Sequence, residues 1–149
     1  MTEAAEIAVT EVSKGGLQAG LVTEGVWLGW HERRKARQRV QGDRGTTLLL
    51  ALPRGTVLQE GQVLYRDGKL QIVVRSQSEA LVKIQPASIA ESCRVAHHLG
   101  NWHRPVEILA DGGLLAECDR PLVDWLEAGG IRFEAIEAPF QPNSVAHPH

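Results

Sequence analysis

Long apolar runs are missing from this chain. The longest, Leu48 to Leu52, falls far short of the ~18 residues that a membrane helix needs, so no membrane span is expected. Cysteine is also scarce: the 149 residues hold two, Cys93 and Cys118, with no CxxC and no zinc-ribbon spacing. A disulfide scaffold is thereby excluded, a reducing cytoplasm is the expected compartment, and both thiols are expected to fill a core. Positive charge is not in excess. A net charge of -2 and a pI near 6.3 argue against whole-molecule attraction to nucleic acid. Catalytic signatures are lacking as well. There is no GxSxG, no histidine spaced as a base for Cys93 or a serine, and no GxGxxG or Walker loop among fifteen glycines. Met1 to Glu6 is acidic with no hydrophobic stretch behind it, so no secretion signal is expected.

What is present falls into two halves. The first is rich in short β-prone runs separated by turn residues: Ile7 to Val12, Leu21 to Trp30, Thr46 to Leu52, Val63 to Tyr65 and Leu70 to Val74. Asp67-Gly68 between the last two is a hairpin signal. The pattern predicts a small β-sandwich or open barrel over residues 1–76. A polar tripeptide, Ser76-Gln77-Ser78, marks the boundary. Beyond it comes a strand at Leu81 to Ile84, then a helix started by Pro86 with Ser88 and Glu91 at capping-box spacing. Ile89, Cys93 and Ala96 recur at helical intervals as its buried stripe, and Gly100-Asn101 ends it as a left-handed cap. Strands at Val106 to Leu109 and Leu114 to Ala116 follow. Asp119 caps a second helix with Leu122, Trp125 and Leu126 on one face, and Ile131 to Ile136 forms the last strand. The order β-α-β-β-α-β is the ferredoxin-like arrangement. The fold class is therefore α+β: a small all-β N-terminal domain, a ferredoxin-like domain over 77–137, and a mobile tail over 138–149.

Chemistry concentrates in histidine. His97, His98 and His103 surround the end of the first long helix, and the chain closes on His147-Pro148-His149. Imidazole suits nickel, zinc and copper and argues against magnesium or calcium. No cysteine or carboxylate stands at the spacing of a closed structural zinc site. One chain offers about three well-placed nitrogens, and a two-fold dimer would double them across its axis. His31, beside Glu32, is read as solvated. The basic run Arg33 to Arg39 reads as a solvated strand or loop. Read more sharply, it is a contact surface for an acidic partner or for RNA, but no aromatics are interleaved in it. A metal-independent protein-interaction module with incidental histidines is the rival reading.

The segment His97-His98-Leu99-Gly100-Asn101-Trp102-His103-Arg104-Pro105 resembles the UreE urease accessory proteins, the nickel metallochaperones of urease maturation. Leu28 to Arg34, Leu52 to Leu58 with Gly61 to Leu64, and Pro139-Phe140-x-Pro142 before a terminal H-x-H agree in order. The resemblance implies an N-terminal domain likened to a chaperone peptide-binding domain and a ferredoxin-like domain that dimerises and binds metal. It implies that His103 of both subunits holds one Ni²⁺, that His147 and His149 complete or exchange the site, and that His98 is a secondary ligand. It further implies a cytoplasmic homodimer that is not an enzyme. Its partners would be the urease apoprotein complex and its GTPase accessory protein, and Zn²⁺ or Cu²⁺ would compete for the site. The sequence departs from the family pattern at Trp102, where arginine is usual, at Ala146 and Pro148 around the terminal histidines, and at His31, where glutamate is usual. These 149 residues contain no polyhistidine run of the kind some members carry.

Overall fold

The computed structural model describes residues 6–143. By its contacts the chain divides into two compact units, Met1–Gln77 and Ser78–His149.

In the first unit, β1 (Ile7–Val9), β4 (Thr47–Ala51) and β3 (Arg37–Gln41) form one sheet in the order β1-β4-β3. β2 (Val22–Leu28), β6 (Leu70–Ser76) and β5 (Val63–Arg66) form the other, in the order β2-β6-β5. A one-turn helix, α1 (Trp30–Arg33), follows β2. Period-two alternation is plain in β4, where Leu48 and Leu50 are buried and Leu49 is exposed. β6 lies between two strands, and Gln71 to Val74 is buried throughout. Val26, Leu28, Leu48, Leu50, Leu58, Leu64, Ile72 and Val74 make the core. The hairpin at Asp67-Gly68 forms as read: the Asp67 carboxylate accepts hydrogen bonds from the N–H groups of Lys69 and Leu70, each at 2.8 Å.

The basic run behaves differently from its reading. Arg34, Lys35, Arg37 and Arg39 are exposed, but Arg33 is 0% exposed, with its guanidinium 5.4 Å from the centre of the Trp30 ring. The cause is the α1 turn. It directs Arg33 inward, and the Arg33 carbonyl accepts the N–H of Leu58 at 2.8 Å.

The second unit runs β7 (Ser78–Ile84), α2 (Ile89–Asn101), β8 (Glu107–Ile108), β9 (Leu114–Glu117), α3 (Arg120–Ala128) and β10 (Phe133–Pro139). Its sheet has the order β10-β7-β9-β8 with every pair antiparallel, which is the ferredoxin-like topology. Val95 and Leu99 of α2 and Leu122 and Leu126 of α3 share one core with Val82, Ile84, Leu114 and Ala116 of the sheet. Ser88 caps α2, its Oγ accepting the Glu91 N–H at 3.1 Å, while the Glu91 carboxylate reaches back to the N–H of Ala87 at 3.1 Å. Asp119 caps α3 through the N–H of Leu122 at 3.0 Å.

Three expectations are corrected here. The buried stripe of α2 is Val95 and Leu99 with Ala96 packed against them. Ile89 is 86% exposed and Cys93 is exposed. At 3.6 residues per turn Cys93 stands roughly 160° round the helix from Val95. Cys118, just ahead of the Asp119 cap, is exposed too, so neither thiol fills the core. The third correction concerns residues 138–143, expected to belong to a mobile tail. Ala138 and Pro139 complete the edge strand β10, where proline is tolerated, and Phe140 is buried. The N–H of Gln141 donates to Glu107 at 2.8 Å. Asn143 then behaves as an added rung on β8. Its N–H donates to the Val106 carbonyl at 3.0 Å, and its side-chain amide accepts from Ile108 N–H at 2.8 Å and donates to Ile108 O at 3.1 Å.

Candidate metal centre

The end of α2 decides where the histidines go. Gly100-Asn101 does not stop the helix. Both residues remain helical, and the chain turns two residues later. The N–H of His103 bonds the Gly100 carbonyl at 3.0 Å, and the N–H of Arg104 bonds the Leu99 carbonyl at 3.0 Å. This pair of bonds is the Schellman motif, and its left-handed position is taken by His103 at φ 57°. His103 is the one non-glycine with positive φ among the described residues. Gly45, Gly55, Gly61, Gly112 and Gly130 fill equivalent conformations elsewhere. A residue with a Cβ costs about 1–2 kcal/mol in this region relative to its right-handed alternative. Such strain marks functional positions often enough to motivate a hypothesis at this one. The His103 side chain is exposed.

His98 is placed otherwise. It is half-buried on the last turns of α2, with its ring stacked on the Trp125 indole of α3 at 3.8 Å and 4° between planes. Trp102, one turn on, lies 3.9 Å from it at 56°. The Nε2 of His98 is buried and meets no hydrogen-bond partner among the described residues. Burial, then the charge of Arg104, then His97 hold this imidazole below the ordinary histidine value of 6.5. His97 is exposed. Arg104 sits with its guanidinium 4.8 Å from the Trp102 ring centre and its Nη1 2.5 Å from the carboxylate of Asp119.

Among the described residues no three His, Cys, Asp or Glu side chains converge as a metal site. Among the described residues His103 thus presents an exposed imidazole between Trp102 and Arg104 in the chain, while the His98 ring is stacked on Trp125. His147 and His149 lie outside the described residues. His31, on α1 of the other unit, is exposed. Three residues carry contacts that the sequence does not reveal: Trp125, on one face of its helix, stacks on His98, and Asp119, a cap, pairs with Arg104, which lies over Trp102. The available signal was the i, i+4 spacing of His98 and Trp102, which puts both rings on one helix face.

Residues 14–77 match the model for the UreE urease accessory protein, N-terminal domain, and residues 79–149 match that for its C-terminal domain. The chain belongs to the UreE family. It is 38% identical over 120 residues to a urease accessory protein UreE of Burkholderia lata, covering 80% of this chain and 58% of that protein. A UreE of Paraburkholderia xenovorans is 39% identical over 120 residues, with 80% of this chain and 53% of that protein covered. The chain therefore spans little more than half the length of these UreE relatives. The family is named for an accessory role and not for an enzymatic reaction. Among the described residues no helix is long and apolar enough to cross a membrane.

Proposed function

We propose that this UreE-family chain is a cytoplasmic nickel metallochaperone acting in assembly of the urease metallocentre. The observation that carries the reading is the exposed imidazole of His103, held on a backbone that histidine does not favour. A single imidazole captures a divalent ion weakly. A homodimer supplies two copies of His103 to one Ni²⁺ near its two-fold axis, and such a site stays open to exchange. Zn²⁺ and Cu²⁺ compete for the same nitrogens. Histidine ligates as neutral imidazole, so capture weakens in acid.

The route of the chain beyond β10 supports a part for the terminal histidines. Asn143 is bound beside Val106, three residues from His103. His147 lies four residues beyond that anchor in the sequence, and four extended residues span at most about 14 Å. The ion would pass by ligand exchange to the urease apoprotein complex and its GTPase accessory protein, with the β unit supplying part of the docking surface. Calorimetric titration of the full chain with Ni²⁺ tests the reading. His103→Ala is expected to weaken the tightest binding at least ~10-fold, the equivalent of about 1.4 kcal/mol. Unchanged affinity and stoichiometry in that variant would remove His103 from the site.

A further inference from the structure

The two chain neighbours of His103 belong to a closed circuit of side-chain contacts. It begins on α3, where Trp125 covers one face of His98 at 3.8 Å. Trp102 approaches the same imidazole at 3.9 Å. Arg104 lies over Trp102 at 4.8 Å and reaches the Asp119 carboxylate at 2.5 Å. Asp119 uses its other oxygen to cap α3 at Leu122, so the path returns to the helix from which it started. His103 stands between Trp102 and Arg104, and both of its chain neighbours belong to the circuit.

We infer that this circuit is a brace that holds His103 in its left-handed, outward-facing geometry, and that His98 serves the site as a positioning residue through its ring and not as a ligand. A residue in a disfavoured backbone region persists only where its surroundings over-determine it. Here the two hydrogen bonds of the helix end fix the backbone, and the brace fixes the side chains on either side of it. His98 is poorly disposed to reach an ion at His103. Trp125 stacks on the ring, Trp102 lies 3.9 Å from it at a tilt of 56°, and its Nε2 is buried. Coordination through that nitrogen would require it to be uncovered. An aromatic ring of similar size without nitrogens would serve the brace equally well.

The inference rests on His103 being a ligand, and the experiment separates the two. Ni²⁺ titrations are run on the full-length wild type, His103→Ala, His98→Phe and His98→Ala. The brace predicts affinity within about twofold of wild type for His98→Phe and a loss of about tenfold for His98→Ala, the scale of a supporting contact behind a metal ligand. Equal losses in both His98 variants would make His98 a ligand and overturn the brace. Wild-type affinity in both would show that the ring positions nothing, with the same consequence. Wild-type affinity in His103→Ala would instead sink the ligand assignment itself. Asp119→Asn keeps a side chain able to cap α3 but removes the charge facing Arg104. It is expected to weaken Ni²⁺ binding several-fold, about the loss of one supporting ion pair. Unaltered affinity there would remove the Arg104 arm from the brace.

Discussion

The two units each build a polar centre, and the two centres are finished in opposite ways. In the N-terminal unit Glu24 is 1% exposed. Its carboxylate accepts the N–H groups of Arg44 at 3.2 Å and Thr46 at 3.0 Å and the Thr46 hydroxyl at 2.7 Å. A Cβ on Gly42 would overlap that carboxylate, so the glycine is required by close approach. Such a carboxylate is nearly saturated, which offsets the cost of burying it and leaves little capacity for a ligand. In the C-terminal unit His103 is exposed on a strained backbone. A saturated group holds the fold. A strained group with unused ligand capacity is where work on another molecule is to be sought.

This contrast can be broken experimentally. Glu24→Ala is expected to have the largest effect, because it leaves the Arg44 and Thr46 N–H groups without their acceptor. A loss of about 3 kcal/mol in urea unfolding is expected, with Ni²⁺ affinity unmoved. A matching loss of Ni²⁺ affinity would mean that the two centres are not separate in role. Deleting residues 144–149 should do the reverse. Ni²⁺ affinity or stoichiometry falls, while urea stability stays within about 0.5 kcal/mol, the usual range for surface changes. Binding unaltered by the deletion would leave the terminal histidines without a part.

The smallest effect is in pH. The imidazole of His98 should titrate below 6.5 when followed by NMR, and Trp125→Leu should raise it by relieving burial. Its folded value lies beneath its unfolded one. Stability is therefore full above about 6.5, declines as pH falls from there toward the lowered value, and then levels. Titration at or above 6.5 would mean that the ring is not enclosed as described.

Legibility followed the range of the interactions. Ser88, Asp119 and the Asp67-Gly68 hairpin were readable because each makes its decisive hydrogen bonds within a few residues. The β-α-β-β-α-β order came through for the same reason, each element carrying its own period. Where the reading failed, distant packing decided. Arg33 looked like one more surface cation, yet the α1 turn buries it. Ile89, Cys93 and Ala96 made a plausible stripe, but the sheet takes the face that holds Val95 and Leu99. Gly100 looked like the left-handed cap because glycine adopts that conformation without cost. The helix ran past it, since Leu99 is core and the 3.0 Å bonds of the Schellman motif close only with His103 in the left-handed position. Proline at 139 and 142 suggested a loose tail, and Asn143 then pairs with β8. The sequence singles out His103 as a residue, whereas its left-handed backbone and the contacts of its chain neighbours depend on packing that the sequence does not announce.

His103→Gly tests the central claim most directly, because glycine suits the left-handed position and removes only the imidazole. The account predicts a variant that is more stable than wild type by about 1 kcal/mol and that has lost tight Ni²⁺ binding in a calorimetric titration. Ni²⁺ bound by His103→Gly with wild-type affinity would contradict it.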